Sequence, residues 1–323
     1  MPTYADQGPV FADVLAAAAR IAPHVTVTPV LRSGSLDALA GAQLHFKCEN
    51  LQRVGAFKFR GACNAVWSLD DATAARGVLT HSSGNHGAAL ALAARTRGIA
   101  AHVVVPDGAV PAKLAAIRAA GASLESCAPT MAAREAAAAS LAARTGATLV
   151  HPFTDPAVIA GQGTAALELL RSTQGLDLLL VPVGGGGLVG GTAIAAAGAS
   201  PSTRVLGAEP EGAADAFESL RRGARVTDLV ADTVCDGLRG IVGEVNLRLM
   251  RAHGVEVLLV SDAETLAAMR LLWERLKLLV EPSSATVLAA VLRYPERFAG
   301  RRVGIILSGG NVDLDAQFGA PNP

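Results

Sequence analysis

An α/β fold built on a mostly parallel sheet is what this chain predicts, and three observations carry it. From about residue 77 onward, short β-rich runs alternate with helical stretches, the order that layers helices over parallel strands. Several runs are almost wholly apolar, Leu178-Leu-Leu-Val-Pro-Val183 among them, as strands buried on both faces require. The length of 323 residues suits about two domains and a substantial core.

Strands are predicted over 44–48, 77–80, 101–105, 123–125, 148–150, 176–183, 204–208, 255–260 and 302–307. Helices fill the gaps, including 131–144, 157–171, 263–278 and 284–294. The abundant alanine sits in these periodic segments and therefore reads as helix rather than disorder. No repeat, low-complexity linker or shift in composition marks a domain boundary.

Composition narrows the function. Lys plus Arg and Asp plus Glu both number 28, so the formal net charge is zero, and no basic stripe argues for nucleic acid or an anionic membrane surface. A small-molecule substrate is expected. Cys48, Cys63, Cys127 and Cys235 are scattered without metal-type spacing, and the Met-Pro-Thr-Tyr-Ala start has no signal-peptide pattern. The apolar runs are too short and interrupted to span a membrane. The expectation is a reduced, cytoplasmic protein.

The chemistry centres on Lys58, in the run Gly55-Ala-Phe-Lys-Phe-Arg-Gly-Ala62. Only Lys47, Lys58, Lys113 and Lys277 stand against 24 arginines, so a reactive lysine must be one of four. Lys58 follows a predicted strand, opens a predicted helix and is flanked by Phe57 and Phe59. A helix N-terminus disfavours the ammonium form, and the neutral amine is the form that attacks an aldehyde. A lone lysine is more often a solvated surface group; its flanking aromatics weigh against that here. Lys47 lies inside a strand, Lys113 opens an ordinary helix and Lys277 ends an amphipathic one.

Three further elements lie downstream. His81-Ser-Ser-Gly-Asn-His-Gly87 joins a strand to a helix. Its Ser and Asn residues could simply cap that helix, but the glycine lets backbone approach a ligand, and free N–H groups there suit a carboxylate. Gly184-Gly-Gly-Gly187 leads from a buried strand into a helix and suits a phosphate. Ser308-Gly-Gly-Asn311 follows the last strand. Lysine, polar turn, phosphate loop and serine turn are together the parts needed to hold pyridoxal phosphate (PLP). The rival is a dinucleotide: Gly185, Gly187 and Gly190 fit G-x-G-x-x-G, with Glu209 about 20 residues on. That reading leaves Lys58, the Ser82–His86 turn and Ser308 without a common purpose. Glu209, Ala213 and Asp215 could bind Mg²⁺ or Ca²⁺ through oxygen, although helix-start acids are the commoner explanation. His102, His151 and His253 read as isolated structural or surface residues.

Taken together, the chain resembles the serine/threonine dehydratase and serine racemase branch of the fold type II, tryptophan-synthase-β-like PLP enzymes. The likeness runs from Thr28-Pro29 through Lys47-Cys-Glu-Asn-Leu-Gln52, His151-Pro, Pro156-Ala-Val-Ile-Ala-Gly-Gln-Gly163 and Trp273-Glu-Arg-Leu-Lys-Leu-Leu-Val-Glu-Pro282 to Ser308-Gly-Gly-Asn-Val-Asp313. Within that branch the chain is most similar to serine racemase and threo-3-hydroxyaspartate dehydratase members. The resemblance implies two open twisted, mostly parallel sheets, with residues 1–67 and 153–323 forming a large PLP-binding domain and 68–152 a small one across the cleft. It implies Lys58 as the Schiff-base lysine, Phe57 and Asn85 against the cofactor, Gly184, Gly185, Gly186 and Gly187 around its phosphate, and Ser308 at its pyridine nitrogen. It further implies Ser82, Ser83, Asn85, His86 and Arg134 around the substrate, a cation at Glu209, Ala213 and Asp215, and a homodimer. Members usually carry a hydroxyl residue before Phe57, where this chain has Ala56. The chain ends soon after Asn311, so the C-terminal regulatory domain of biosynthetic threonine dehydratases is not expected.

The expected reaction is β-elimination of water from a hydroxy-amino acid, with Lys58 as general base. Racemisation is the alternative, with Ser83 as a second base on the opposite face.

Overall fold

The structure is a computed structural model that describes residues 8–109 and 111–314; the amino-terminal segment read for a targeting signal lies outside them. Ten strands form two sheets: β1 (Val30–Leu31), β2 (Gln43–Cys48), β3 (Val78–Thr80), β4 (Ala101–Pro106), β5 (Ser123–Cys127), β6 (Thr148–Leu149), β7 (Leu178–Pro182), β8 (Arg204–Pro210), β9 (Glu256–Val260) and β10 (Arg302–Leu307). The larger sheet has the order β1-β2-β10-β7-β8-β9 and the smaller β5-β4-β3-β6. Every pairing is parallel except β1 with β2.

The apolar runs become the buried strands, as both-face burial demands: β7 is buried throughout and β10 at every residue after Arg302. Leu179 and Val181 face one core, with the helices Pro156–Ser172 and Gly187–Ala199; Leu178 and Leu180 face the other, with Asp262–Leu276 and Pro282–Arg293. All nine sequence-predicted strands are present, shifted by a residue or two at their ends. The tenth, β1, is two residues long and too short to leave a pattern. The helix predicted over 263–278 stops at Leu276, because Lys277 turns left-handed (φ 58°). The one predicted over 284–294 begins two residues early, where Pro282 supplies a helix-ready φ and needs no N–H partner.

In parallel sheets, ligands collect beyond the carboxyl ends of strands, where neighbouring connections run in opposite directions. After β7 the chain passes to β8 and β9 on one side and returns as β10 on the other. Gly184–Gly187 and Ser308 follow those two strands and flank the switch. The smaller sheet repeats this at β3, between β4 and β6, placing the His81–His86 turn at its own switch.

The helix Lys58–Ser68 is anchored by a buried ionic cluster. Arg60, fully buried, bonds Glu49 at 2.7 Å and Glu168 at 2.7 Å, while Lys47 bonds Glu168 at 2.6 Å. Burial pulls the Glu168 carboxyl upward, but hydrogen bonds from Arg60 and Lys47 outweigh it and hold the group below its ordinary value.

Candidate active site

The four sequence elements meet in one cleft of ≈ 500 Å³, lined by Phe57, Lys58, the His81–His86 turn, Arg134, Gly184–Leu188 and Ser308. A larger, more open depression of ≈ 830 Å³ at the β1 edge, lined by Arg32, Lys47, Glu168 and Arg302, holds none of the predicted site residues. The chemistry belongs to the smaller cleft.

Lys58 is the first residue of its helix, and its Nζ donates to the Pro152 carbonyl at 3.0 Å. Its amine is pulled down to about 8, chiefly by burial, with Glu281 acting in the opposite direction. Burial, which the flanking Phe57 and Phe59 suggested, prepares this lysine at the helix start. Lys113 also lines the cleft, but its ammonium is paired with Asp236 and partly exposed.

Behind the glycine loop, side chains fill the space that other residues would need. A Cβ on Gly185 would lie 2.4 Å from the Phe153 ring. Gly185 instead turns its carbonyl toward Gly243 N and Asn246 Nδ2. Among the described residues, no main-chain acceptor takes the amides of Gly184, Gly185 or Gly186, which precede the Gly187–Ala199 helix. Unspent amides at a helix start suit a phosphate, and this loop fits that group.

The polar turn also keeps its donors. The N-cap of the Asn85–Arg97 helix is Gly84, with no side-chain cap hydrogen bond, so neither Ser82 nor Ser83 is spent on capping. His86 is buried; its Nε2 lies 3.3 Å from the Val150 carbonyl and its Nδ1 has no partner. Burial first, then the Lys58 charge, holds its imidazole well below the ordinary range. His151 is not isolated, contrary to the sequence reading: its ring meets His81 at 5.1 Å and Phe153 at 4.6 Å, both edge-on. Burial and the charges of His81 and Lys58 lower it to about 3, so it stays neutral and its Nδ1 accepts Thr154 N at 3.2 Å.

Asn85 and Ser308 line the same cleft as the loop, and Ser308 is buried. Sequence reasoning passed over Glu281, whose place before Pro282 looks like an ordinary helix-start acid. It is 4 % exposed and accepts Asn85 Nδ2 at 3.0 and 3.2 Å. Burial raises its carboxyl to about 7, against the bond from Asn85. Arg239 was also missed; it lines the cleft with its guanidinium on the Thr233 carbonyl. Arg134 does line the cleft, and its Nε is buried without a partner.

Glu209 and Asp215 are buried away from this cleft. Glu209 accepts Ala216 N at 3.0 Å and Phe217 N at 2.9 Å, and Asp215 accepts Val242 N at 2.7 Å. Burial followed by the Asp215 charge lifts Glu209 well above its ordinary value; burial lifts Asp215 to about 6. Among the described residues no cluster of three His, Cys, Asp or Glu side chains suits a metal. A cation here would need the Ala213 carbonyl.

A buried lysine with a lowered amine and a loop of unspent amides, lining one cleft, define a class: enzymes that work on amines through a phosphate-bearing aldehyde. The chain belongs to the pyridoxal-phosphate dependent enzymes, whose family model matches residues 21–309. It is 49 % identical over 307 residues to a beta-hydroxyaspartate dehydratase of Paracoccus denitrificans, covering 95 % of this chain and 98 % of that one. It is 44 % identical over 307 residues to an L-threo-3-hydroxyaspartate ammonia-lyase of Saccharomyces cerevisiae, covering 95 % and 94 %. The crystal structure of the serine racemase of Dictyostelium discoideum superposes with a TM-score of 0.91 at 45 % identity, covering 94 % and 99 %. The fold type II architecture read from the sequence is thereby shown, and the dinucleotide reading falls away.

Proposed function

We propose that the protein is a PLP-dependent dehydratase that removes water from a β-hydroxy L-amino acid and releases a keto acid and ammonia. The observation that carries this is the convergence of the lowered Lys58 amine and the unspent amides of Gly184–Gly186 on one cleft. When bound, PLP supplies an aldehyde for the substrate amine and an electron sink for the Cα carbanion. Gly184, Gly185, Gly186 and Gly187 would hold its phosphate, Asn85 its phenolic oxygen and Ser308 its ring nitrogen. Lys58, largely relieved of its proton above pH about 8, takes the Cα proton as general base. Uncapped amides at Asn85, with Ser82, Ser83 and His86, hold the α-carboxylate.

The preferred substrate is a 3-hydroxyaspartate. Arg134 and Arg239 both face the cleft, and among the described residues neither is ion-paired to a carboxylate. One comes from the segment around the smaller sheet and the other from the larger. A second substrate carboxylate would find uncommitted donors on Arg134, whose Nε has no partner among the described residues, and on the part of Arg239 that Thr233 leaves free. The names of the relatives from Paracoccus and Saccharomyces agree. Arg239→Leu should raise KM for 3-hydroxyaspartate roughly ten- to hundredfold while leaving serine nearly unaffected. Steady-state kinetics on both substrates check this; equal losses would remove Arg239 from specificity.

Proton NMR in D₂O, with L-serine, L-threonine and L-threo-3-hydroxyaspartate in separate tubes, tests the reaction itself. Keto-acid signals support dehydration and name the substrate; loss of the α-proton signal alone supports racemisation. The racemase reading draws on Ser83, which lines the cleft and is not spent as a cap. Ser83→Ala should abolish racemisation while sparing elimination from the L-isomer, read by chiral chromatography; equal loss of both would contradict a second base.

The buried carboxylates of Glu209 and Asp215 crowd one another, and a divalent cation shared with the Ala213 carbonyl would relieve them. A homodimer, a cytoplasmic location and a small domain over 68–152 lining the substrate cleft complete the proposal. No described helix is long and apolar enough to cross a membrane.

A further inference from the structure

We propose that Glu281 and Asn311 are positioning residues that lock the side-chain amide of Asn85 with its nitrogen toward the cofactor's phenolic oxygen. The proposal rests on reading the cleft as a PLP site. It starts from hydrogen-bond accounting around one amide. Asn311 Nδ2 donates to the Val54 carbonyl at 2.8 Å and to Asn85 Oδ1 at 2.9 Å, which uses both of its N–H groups. Asn85 Nδ2 in turn donates to the Glu281 carboxylate. Rotating the Asn85 amide by half a turn would set two NH₂ groups against each other at Asn311. It would also press an oxygen against the carboxylate at Glu281. The orientation is thus fixed from both ends, and a single N–H shared between the two Glu281 oxygens leaves the other N–H of this cleft-lining residue for the cofactor.

Three otherwise unexplained features converge on this arrangement. Glu281 is a buried acid with no Lys or Arg ion pair among the described residues. Gly309 leaves it room, since a Cβ there would lie 2.7 Å from Glu281 Oε1. Val54 is a β-branched residue held left-handed at φ 56°, a conformation rarely adopted without compensation, and its carbonyl is the second acceptor of Asn311. The Ser308-Gly-Gly-Asn311 motif therefore does more than present a serine: its glycine accommodates the acid and its asparagine aims the amide.

Asn311→Asp is the decisive variant, because it is nearly isosteric and the position is exposed. An aspartate can only accept, so its oxygen opposes Asn85 Oδ1 and sets the Asn311 end of the lock against the Glu281 end. PLP should bind roughly tenfold more weakly, the factor for about one lost hydrogen bond. Part of the visible absorbance should move to the near ultraviolet in a pH-dependent way, since a phenolic oxygen without its donor keeps its proton more readily. Asn311→Ala should show a smaller change, because Glu281 still holds the nitrogen. Glu281→Leu removes that hold and should reproduce the spectral change; should it not fold, Asn311→Asp decides alone. PLP dissociation constants, absorbance-pH titrations and circular-dichroism melts of all three are compared with wild type. Asn311→Asp protein that is folded and keeps the wild-type constant and spectrum overturns the proposal. Wild-type protein that forms no borohydride-reducible bond between PLP and Lys58 overturns the cofactor reading instead, and the proposal with it.

Discussion

Lys58→Ala protein should fold, bind PLP weakly through the glycine loop, lack the yellow band of lysine-bound cofactor and turn over at least ~10⁴-fold more slowly. The loss is large because one amine does two jobs, holding the aldehyde and removing the Cα proton. Among the described residues its one hydrogen bond is to the Pro152 carbonyl, so little of the fold depends on it. Absorbance and single-turnover kinetics check the result, and an intact visible band in the variant would sink the assignment. Stability should move the other way. The amine is lowered from 10.5 to about 8, so between those pH values the unfolded chain binds the extra proton and folding becomes more favourable as pH rises. Below pH about 8 the cost of burying the charged amine is fully present, and past 10.5 it vanishes. At neutral pH, Lys58→Met should therefore melt at a higher temperature than cofactor-free wild type, with a stability gain of about 3 kcal/mol. A lower melting point at neutral pH would show that packing, not ionisation, dominates at this position.

Arg60→Met should be the most destabilising single change near the site, at about 3–5 kcal/mol. Arg60 and Glu49 are both fully buried, and Arg60 meets Glu49 through Nε at 2.7 Å and Nη2 at 2.9 Å. Removing the guanidinium strands the Glu49 charge in the interior with, among the described residues, only the Thr28 hydroxyl, 2.5 Å away, hydrogen-bonded to it. Replacing both partners together, Arg60→Met with Glu49→Met, should recover much of the loss, because the penalty lies in the orphaned charge rather than the missing pair. Urea melts of the two single variants and the double variant measure this directly. An additive double variant would mean the two side chains contribute independently. Since Arg60 stands two residues after Lys58 on the same helix, the single variant should also loosen PLP binding.

What the sequence made legible was whatever is contiguous. Buried parallel strands are short apolar runs, so β7 and β10 announced themselves, whereas two-residue β1 could not. The glycine loop, the polar turn and Lys58 are local patterns whose chemistry follows from neighbouring residues. Glu281 was hidden because its partner Asn85 is 196 positions away. Arg239 was hidden for a related reason: its meaning depends on facing the same space as Arg134, which no spacing rule encodes. His151 looked solitary in the sequence only because its neighbour His81 arrives from a different strand end. Lys58 was legible because its flanking aromatics are contiguous with it, and burial is what lowers its amine.

The two cleft arginines have a consequence for how the enzyme would be restrained. On the proposed substrate, elimination followed by hydrolysis would remove the hydroxyl and the amine of a hydroxyaspartate but leave both carboxylates, so the departing keto acid would still meet Arg134 and Arg239. Such a site would be held back by its own product. Flux through it would depend on how fast a following reaction consumes a dicarboxylic keto acid, and a monocarboxylic one would exert no such brake.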